Sequence, residues 1–307
     1  MNVTVRKPDE TGGIVVAGRP IPAFNKIEIE PLTGAAGCEI KGVDLTKPLS
    51  VDVLEEIMRA FEHFLVIMLR DQDLTPEQHK SFSRHFGEII ELPQAPTYGE
   101  HHDMQEVRRE AHEPVSVVPF TRFHTDSPFL AQPPLCMVMR ALDVPRYGGD
   151  TAFANMYLAY EELSDGLRKI VDGLKVVYSG KDIWAKNAKL DPDKRLRLRE
   201  GHHYTEDQLE STHPAVRRHP QTGRKALYVT QAYFKRFEGW SDEDSRGLLE
   251  QLGELPYRLQ YQCRIRWQPN TLIVWDNRCS SHARTDFPAD QRRLLLRTTV
   301  KGTCKPY

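Results

Sequence analysis

His124 and Asp126 stand two positions apart in FHTDSPF (123–129), an apolar, β-prone run. On a strand, residues i and i+2 project from the same face, so the imidazole and the carboxylate are expected side by side, with Thr125 opposite. Buried polar groups are costly without partners, which leaves a hydrogen-bond network or a metal ion as the shared partner. A second stretch, LIVWDNRCSSHARTDFPADQRRLLLRTTV (272–300), carries His282 in a turn region and then Arg293 and Arg297 on a strand. Two imidazoles and one carboxylate can occupy one face of an octahedron and leave sites for substrate and oxygen, as in non-haem Fe(II) oxygenases. Zinc accepts the same donors, so ligand type leaves the metal open. Residues 293, 295 and 297 share a strand face by period two, which sends both guanidiniums the same way. Two permanent cations beside a metal point to an anionic co-ligand, because arginine suits bidentate carboxylate binding. A dicarboxylate that chelates the metal at one end and meets an arginine at the other fits, and 2-oxoglutarate is such a molecule.

The elements that must position these groups are mostly strands. Short strands with glycine punctuation are expected from Ile27 to Pro48, and FLVIML (64–69) reads as a buried strand. Val53, Leu54, Ile57, Ala60 and Phe61 fall on one face of a helix over 51–63. Thr75, Pro76 and Glu77 form a helix-start signature, with Gly87 marking the end. Residues 93–122, rich in Pro, His and charge, read as a long surface segment near a site. PPLCMVMRALDVPRYGGDTAFANM gives strand, glycine turn and strand, and NMYLAYEELSDGLRKIVDGL is helical by spacing. Residues 225–237, 258–267, 271–276 and 292–300 read as strands, and DEDSRGLLEQLGEL as a helix. Many strands, few helices and no βαβ rhythm predict a mainly β sandwich or barrel with flanking helices. Residues 1–26 are expected as a flexible arm, 27–307 as one domain, and the charged stretch 180–212 as a lid insertion.

Size and charge narrow the class. The chain has 307 residues and a formal net charge of −1, which gives no reason to expect a nucleic acid or an anionic membrane as partner. No apolar run reaches the roughly 18 residues of a membrane span, and the N-terminus lacks a signal-peptide pattern, so a cytoplasmic protein is expected. Cys38, Cys136, Cys263, Cys279 and Cys304 form no C-x-x-C pair and read as reduced thiols.

Taken together, the motifs GVDLTKPL, VIMLRDQDLTPEQ, HFGE, HTD, GGDTAF, HPQTGRKALYV, RWQPNTLIVWDNR and QRRLLLRTTVKG resemble the taurine dioxygenase group (TauD/TfdA) of Fe(II)/2-oxoglutarate-dependent oxygenases. The resemblance runs from about Ile27 to Gly302. It implies a double-stranded β-helix, the distorted jelly roll of the cupin-like folds. It implies that His124, Asp126 and His282 bind iron. Thr151, 27 residues after His124, and Arg293, 11 residues after His282, match the partners of the distal carboxylate of 2-oxoglutarate. Arg297, 15 residues after His282, matches a second arginine near the metal-side carboxylate and the prime substrate. The implied reaction uses O2 to convert 2-oxoglutarate to succinate and CO2 while a small substrate is oxidised. Related halogenases lack the carboxylate, so Asp126 favours hydroxylation or another oxidation. Family members often form dimers or tetramers, and a homo-oligomer is expected by that analogy.

The match breaks at one informative place. Taurine dioxygenases carry a sulfonate-binding histidine before a proline after F-G-E, whereas FGEIIELPQAP places Leu92 there and Ala95 at a family tyrosine. Leu92 cannot donate to a sulfonate oxygen, which argues against taurine. Leu92, Tyr98, Phe123, Ser127 and Phe129 are expected to line a more apolar pocket, with Arg297 anchoring an acidic end such as a carboxylate, sulfonate or sulfate ester. Lys181, Lys186, Arg195 and Arg197 are the lid cations, and a solvated surface is their plainer role. Tailoring of a largely apolar natural product fits the same pocket.

Other polar residues read as ordinary. Adjacent strand residues face opposite sides, so neither His101–His102 nor His202–His203 chelates well, and both are taken as loop histidines. Trp240, Trp267 and Trp275 read as packing residues, and His213 and His219 as structural. Two other classes compete. A zinc hydrolase needs a general base and no Arg293, and a non-catalytic jelly-roll binding module should have lost a ligand.

Overall fold

The computed structural model describes residues 14–92, 96–113, 121–182, 185 and 204–307. Ala95, Lys186, Arg195, Arg197, His202, His203 and most of the expected lid lie outside them. Hydrophobic burial is concentrated where strands are covered on both faces. Val66–Leu69 and Leu272–Asp276 are buried at every residue, and Cys136–Asp143 for most of its length. They lie side by side in a nine-stranded sheet, which accounts for their uninterrupted apolar sequence. The path through this sheet is Glu28–Pro31, Cys38–Lys41, Val66–Leu69, Leu272–Asp276, Cys136–Asp143, Arg293–Val300, His101–Arg109 and Thr97–Tyr98. Ile89–Ile90 adds to the far end of Arg293–Val300.

A second sheet orders Gln262–Ile265, Thr151–Asn155 and Ser280–Arg284. It faces the first through aromatic contacts, Phe153 to Trp275 at 5.7 Å and Trp275 to His282 at 5.1 Å between ring centroids. Two facing sheets, antiparallel except for the parallel pair Cys38–Lys41 and Val66–Leu69, with helices outside give the expected jelly roll. Smaller sheets, Lys175–Ser179 with Glu210–Pro214 and Phe234–Phe237, and Val216–Arg218 with Lys225–Leu227, flank it.

The helix starts follow their sequence signals. Ser50 caps Val51–Phe64 by accepting from the Val53 N–H, and a reciprocal capping box between Thr75 and Gln78 opens Pro76–Arg84. The helical run after Asn155 divides into Met156–Glu161 and Asp165–Asp172, because Ser164 caps a new helix and resets its direction. The later helix is Asp242–Gly253.

Four expectations change. Residues 14–26 are packed, with Val15–Val16 pairing with Arg19–Pro20 and Val16 and Ala17 buried. The polar stretch expected as surface holds the strand His101–Arg109, with Met104, Gln105 and Arg109 buried, so His101 and His102 open a strand. Asp103, Glu106 and Arg108 keep contact with solvent, and their polarity hides the strand from a hydrophobicity reading. Residues 225–237 divide between two sheets, as Lys225–Leu227 and Phe234–Phe237. Only Gln262–Ile265 of 258–267 is extended, after a 3-10 turn at Leu259–Tyr261. No helix among the described residues is long and apolar enough to cross a membrane.

Candidate active site

The strand Ser280–Arg284 organises the metal-type donors. His124 and His282 form an antiparallel bridge, His124 N donating to His282 O at 2.9 Å and His282 N to His124 O at 2.8 Å. Residues opposite one another in such a bridge share a face, and the two imidazoles stand 4.3 Å apart between centroids. The rest of FHTDSPF is not a strand, since the chain bends at Asp126 and Ser127 takes a φ of 49°. The carboxylate nevertheless meets both rings, 3.9 Å from His124 Nε2 and 3.8 Å from His282 Nε2. What places it is not strand period. Asn277 grips the Asp126 backbone, Oδ1 accepting from Asp126 N at 2.9 Å and Nδ2 donating to Asp126 O at 3.1 Å.

Separations of 3.8–3.9 Å are too long for hydrogen bonds, so these buried donors do not satisfy one another. His124 Nδ1 lies 2.9 Å from the Arg122 carbonyl, which holds the proton on Nδ1 and leaves the Nε2 lone pair toward Asp126. Burial, reinforced by His124, lowers His282 to about 3, so it is neutral. Burial alone would raise Asp126, but Arg297 Nη1 at 3.3 Å and then the two imidazoles carry it below its ordinary value. The result is a neutral His282 and an ionised Asp126 with the His124 ring beside them, a donor set suited to a divalent transition metal.

Arg293 lies four residues before Arg297 and is 4% exposed. Burial, then Arg284 and Arg109, lower it to about 9, with Asp150 offsetting weakly. It forms no ion pair among the described residues, and its Nε is buried without a hydrogen-bond partner. The guanidinium carbon lies 5.9 Å from the Trp267 ring centroid. Thr151 pairs with Arg284 across the sheet, on the face that Phe153 and His282 share. Its hydroxyl accepts from Trp267 Nε1 at 3.0 Å, which leaves its own proton to donate. The Gly148–Gly149 turn lets the chain approach this corner. Gly148 has a φ of 74°, and a Cβ there would lie 2.4 Å from the Asp286 carbonyl oxygen. One end of the site thus offers metal donors and the other an uncompensated buried cation.

The structure brings together His124, Asp126, His282 and Arg297, and places Thr151 beside Trp267 near Arg293. Leu92 is buried beyond Ile89–Ile90, whose pairing of Val300 with Ile89 and Thr299 with Ile90 leads toward Arg297. Phe129 packs on Tyr204 and Tyr233, and the electrostatic influence of Asp126 reaches the Tyr233 hydroxyl. Ser127 is buried in the bend, and Phe123 packs edge-on against Tyr257. Tyr98 is placed elsewhere, stacked on His101 and felt by Arg140. Arg140 pairs with Leu296, whose side chain faces away from that of Arg297. Lys181 is exposed.

Four contributors were not singled out from sequence. Asn277 sat in the quoted W-D-N-R without a role, and Trp267 was assigned to packing. Gln105, which accepts from Arg297 Nε at 2.9 Å, lies on the strand hidden by its polarity. Tyr233 follows the strand Lys225–Leu227 and carries no spacing signal. A second cluster, His219, Asp276 and Cys279, is already filled. The Asp276 carboxylate accepts from Arg278 at 2.7 and 2.8 Å and from His219 at 3.0 Å, and so braces the turn before Ser280.

Comparison with known proteins gives a consistent picture. The family model described as "Taurine catabolism dioxygenase TauD, TfdA family" matches residues 28–299. An "Alpha-ketoglutarate-dependent sulfate ester dioxygenase" of Pseudomonas putida is 32% identical over 284 residues, covering 92% of this chain and 91% of that protein. An "Alkylsulfatase" of Acinetobacter baylyi is 29% identical, covering 90% and 86%. The solved structure of a taurine dioxygenase from Burkholderia xenovorans superposes with a TM-score of 0.75 at 33% identity, covering 91% of this chain and 90% of that one.

Proposed function

Since the chain belongs to the taurine catabolism dioxygenase TauD, TfdA family, we propose that it oxidises small aliphatic sulfate esters at an iron held by His124, Asp126 and His282. It is an oxidoreductase, a dioxygenase that depends on Fe(II) and 2-oxoglutarate and consumes O2. The observation that carries the site assignment is the convergence of three buried donors, His124, Asp126 and His282, within 4.8 Å of one another, on the same side of the fold as the buried guanidinium of Arg293, which has no ion pair among the described residues. A structural network among the three would bring them within hydrogen-bond distance of one another, closer than 3.8–3.9 Å, and a zinc hydrolase has no use for a buried cation beside the metal. When bound, the iron with 2-oxoglutarate and O2 supplies the oxidation, yielding succinate, CO2 and one oxygen atom for a substrate C–H bond.

The chain's own residues bind, orient and exclude water. His124 is set by the Arg122 carbonyl so that Nε2 faces the metal position. Arg297 keeps Asp126 ionised and is itself held by Gln105. Arg293 meets the distal carboxylate of 2-oxoglutarate in a charge-assisted pair, and Thr151 donates its hydroxyl proton to the same group. Burial of this corner keeps competing water from both.

The substrate class rests on two supports. The Pseudomonas putida and Acinetobacter baylyi relatives are named for sulfate ester chemistry. Phe129 packs on Tyr233, which senses Asp126, and these rings, with Leu92, would wall an alkyl chain. Hydroxylation at the carbon bearing the sulfate oxygen gives a hemiacetal-like ester. Its C–O bond breaks with the electron pair leaving on sulfate, the hydroxyl loses its proton, and an aldehyde forms. By family analogy the enzyme works as a cytoplasmic homodimer or homotetramer.

The test is an anaerobic titration with Fe(II) and then 2-oxoglutarate, followed by aerobic assays of succinate and sulfate release from hexyl sulfate, taurine and an uncharged hexyl ether. A charge-transfer band, with sulfate and succinate released one to one from hexyl sulfate, is expected. Absence of the band in folded, metal-loaded protein refutes the site. A band with turnover only of taurine or the ether refutes the substrate class.

A further inference from the structure

The geometry points to Asn277 as the positioning residue that sets the Asp126 carboxylate for metal binding, an inference that rests on the metal-centre reading above. Asp126 has no β-ladder of its own. It lies in a bend, followed by the positive φ of Ser127, and its carboxylate is buried. Its backbone N–H and carbonyl both end on one side chain, that of Asn277, from 151 residues away in sequence. The same Asn277 amide donates to the Pro134 carbonyl at 3.1 Å, and the Asn277 N–H donates to the Leu135 carbonyl at 3.0 Å, so the clamp is anchored to the main sheet. The neighbouring Asp276 N–H donates to Leu65 O at 2.8 Å, and the Asp276–Arg278 pair braces the turn from the other side.

Five residues after Asn277 comes His282, which holds His124 through the backbone bridge. All three donors are therefore registered to one connection between the two sheets, 276–284, one directly, one through main-chain hydrogen bonds and one through the Asn277 amide. Only the last connection depends on a side chain. Deleting it leaves both imidazoles in place and the Asp126 carboxylate held only by Arg297, and changes in such outer partners of metal ligands typically weaken binding about 10–100-fold.

The experiment compares Fe(II) affinity, measured anaerobically, with thermal stability for wild type, Asp126→Ala, Asn277→Ala and Ile57→Ala. Ile57 is fully buried in the helix Val51–Phe64, is not a hydrogen-bond partner of Asp126 or Asn277, and reports what destabilisation alone does to affinity. The expected result is that Asn277→Ala weakens Fe(II) binding at least about tenfold and alters the 2-oxoglutarate charge-transfer band, while Ile57→Ala loses stability with affinity within about twofold of wild type. Asn277→Ala affinity within about threefold of wild type would overturn the assignment, as would an equal loss in Ile57→Ala. If Asn277→Ala does not fold, Asn277→Ser, whose short hydroxyl cannot span both Asp126 groups, carries the same comparison. Failure of the metal-centre reading itself would look different, with wild type and Asp126→Ala binding Fe(II) equally.

Discussion

Replacing Arg293 with methionine should make the protein more stable and the enzyme worse. The guanidinium is 4% exposed, unpaired among the described residues, and lowered from 12.5 to about 9 by burial and by Arg284 and Arg109. Its folded value lies below its unfolded one, so the unfolded chain holds the proton more tightly. The cost of carrying the charge is therefore full below about pH 9 and fades as pH rises toward 12.5. A shift of that size corresponds to roughly 5 kcal/mol at pH 7.5, an upper bound because a real site relaxes and admits water. Exchanging buried charges for apolar groups of similar volume commonly stabilises by about 1–4 kcal/mol, and about 2 kcal/mol is expected here. The functional effect has the opposite sign, because the distal carboxylate of 2-oxoglutarate loses its cation. A loss of about 3 kcal/mol corresponds to a rise in KM for 2-oxoglutarate of roughly 150-fold. Thermal unfolding of Arg293→Met, with and without Mn(II) and 2-oxoglutarate, and steady-state succinate release measure both sides. Wild type should gain stability on adding 2-oxoglutarate and the variant should not. A variant that is less stable than wild type without co-substrate, or whose KM is unchanged, would refute the reasoning.

Three further outcomes follow from separate contacts. Burial lowers the His79 imidazole to about 4, below the ordinary 6.5, so the unfolded chain binds the extra proton first. Stability should therefore fall by about 2 kcal/mol between pH 7.5 and 5 through this group, and denaturant melts of His79→Met should show a correspondingly shallower loss. Trp267→Phe removes the hydrogen bond to Thr151, about 1 kcal/mol of orientation; KM for 2-oxoglutarate should rise roughly fivefold, while Fe(II) affinity measured by titration stays unchanged. Gly148→Ala must strain a φ of 74° and press a methyl group to 2.4 Å from the Asp286 carbonyl oxygen. It should lower unfolding stability by at least about 2 kcal/mol, and a melt matching wild type would show that the turn rearranges freely.

The donor types His124, Asp126 and His282, and the spacing of Arg293 and Arg297 along one strand face, were legible in the residues. Strand period two is local, and Arg293–Val300 obeys it. The helix start at Thr75 was legible for the same reason, because a cap is completed within one turn of its own chain. Placing Asp126 by that rule gave the right face for the wrong cause. The bend there has no period, and its hydrogen bonds run to Asn277, 151 residues on, a distance over which local patterning carries no information. His101–Arg109 was hidden because its polar face meets solvent while Gln105 and Arg109 turn inward to Arg297 and the Phe287 carbonyl. Whether a polar side chain is buried depends on what the fold lays opposite it. The sequence by itself therefore determined which chemistry the chain can perform and which strand carries the arginines. Only the tertiary structure decided that Arg293 is buried without an ion pair among the described residues, that Trp267 leaves Thr151 its proton, and that one connection between the two sheets holds all three metal donors, because each depends on contacts between segments that are remote along the chain.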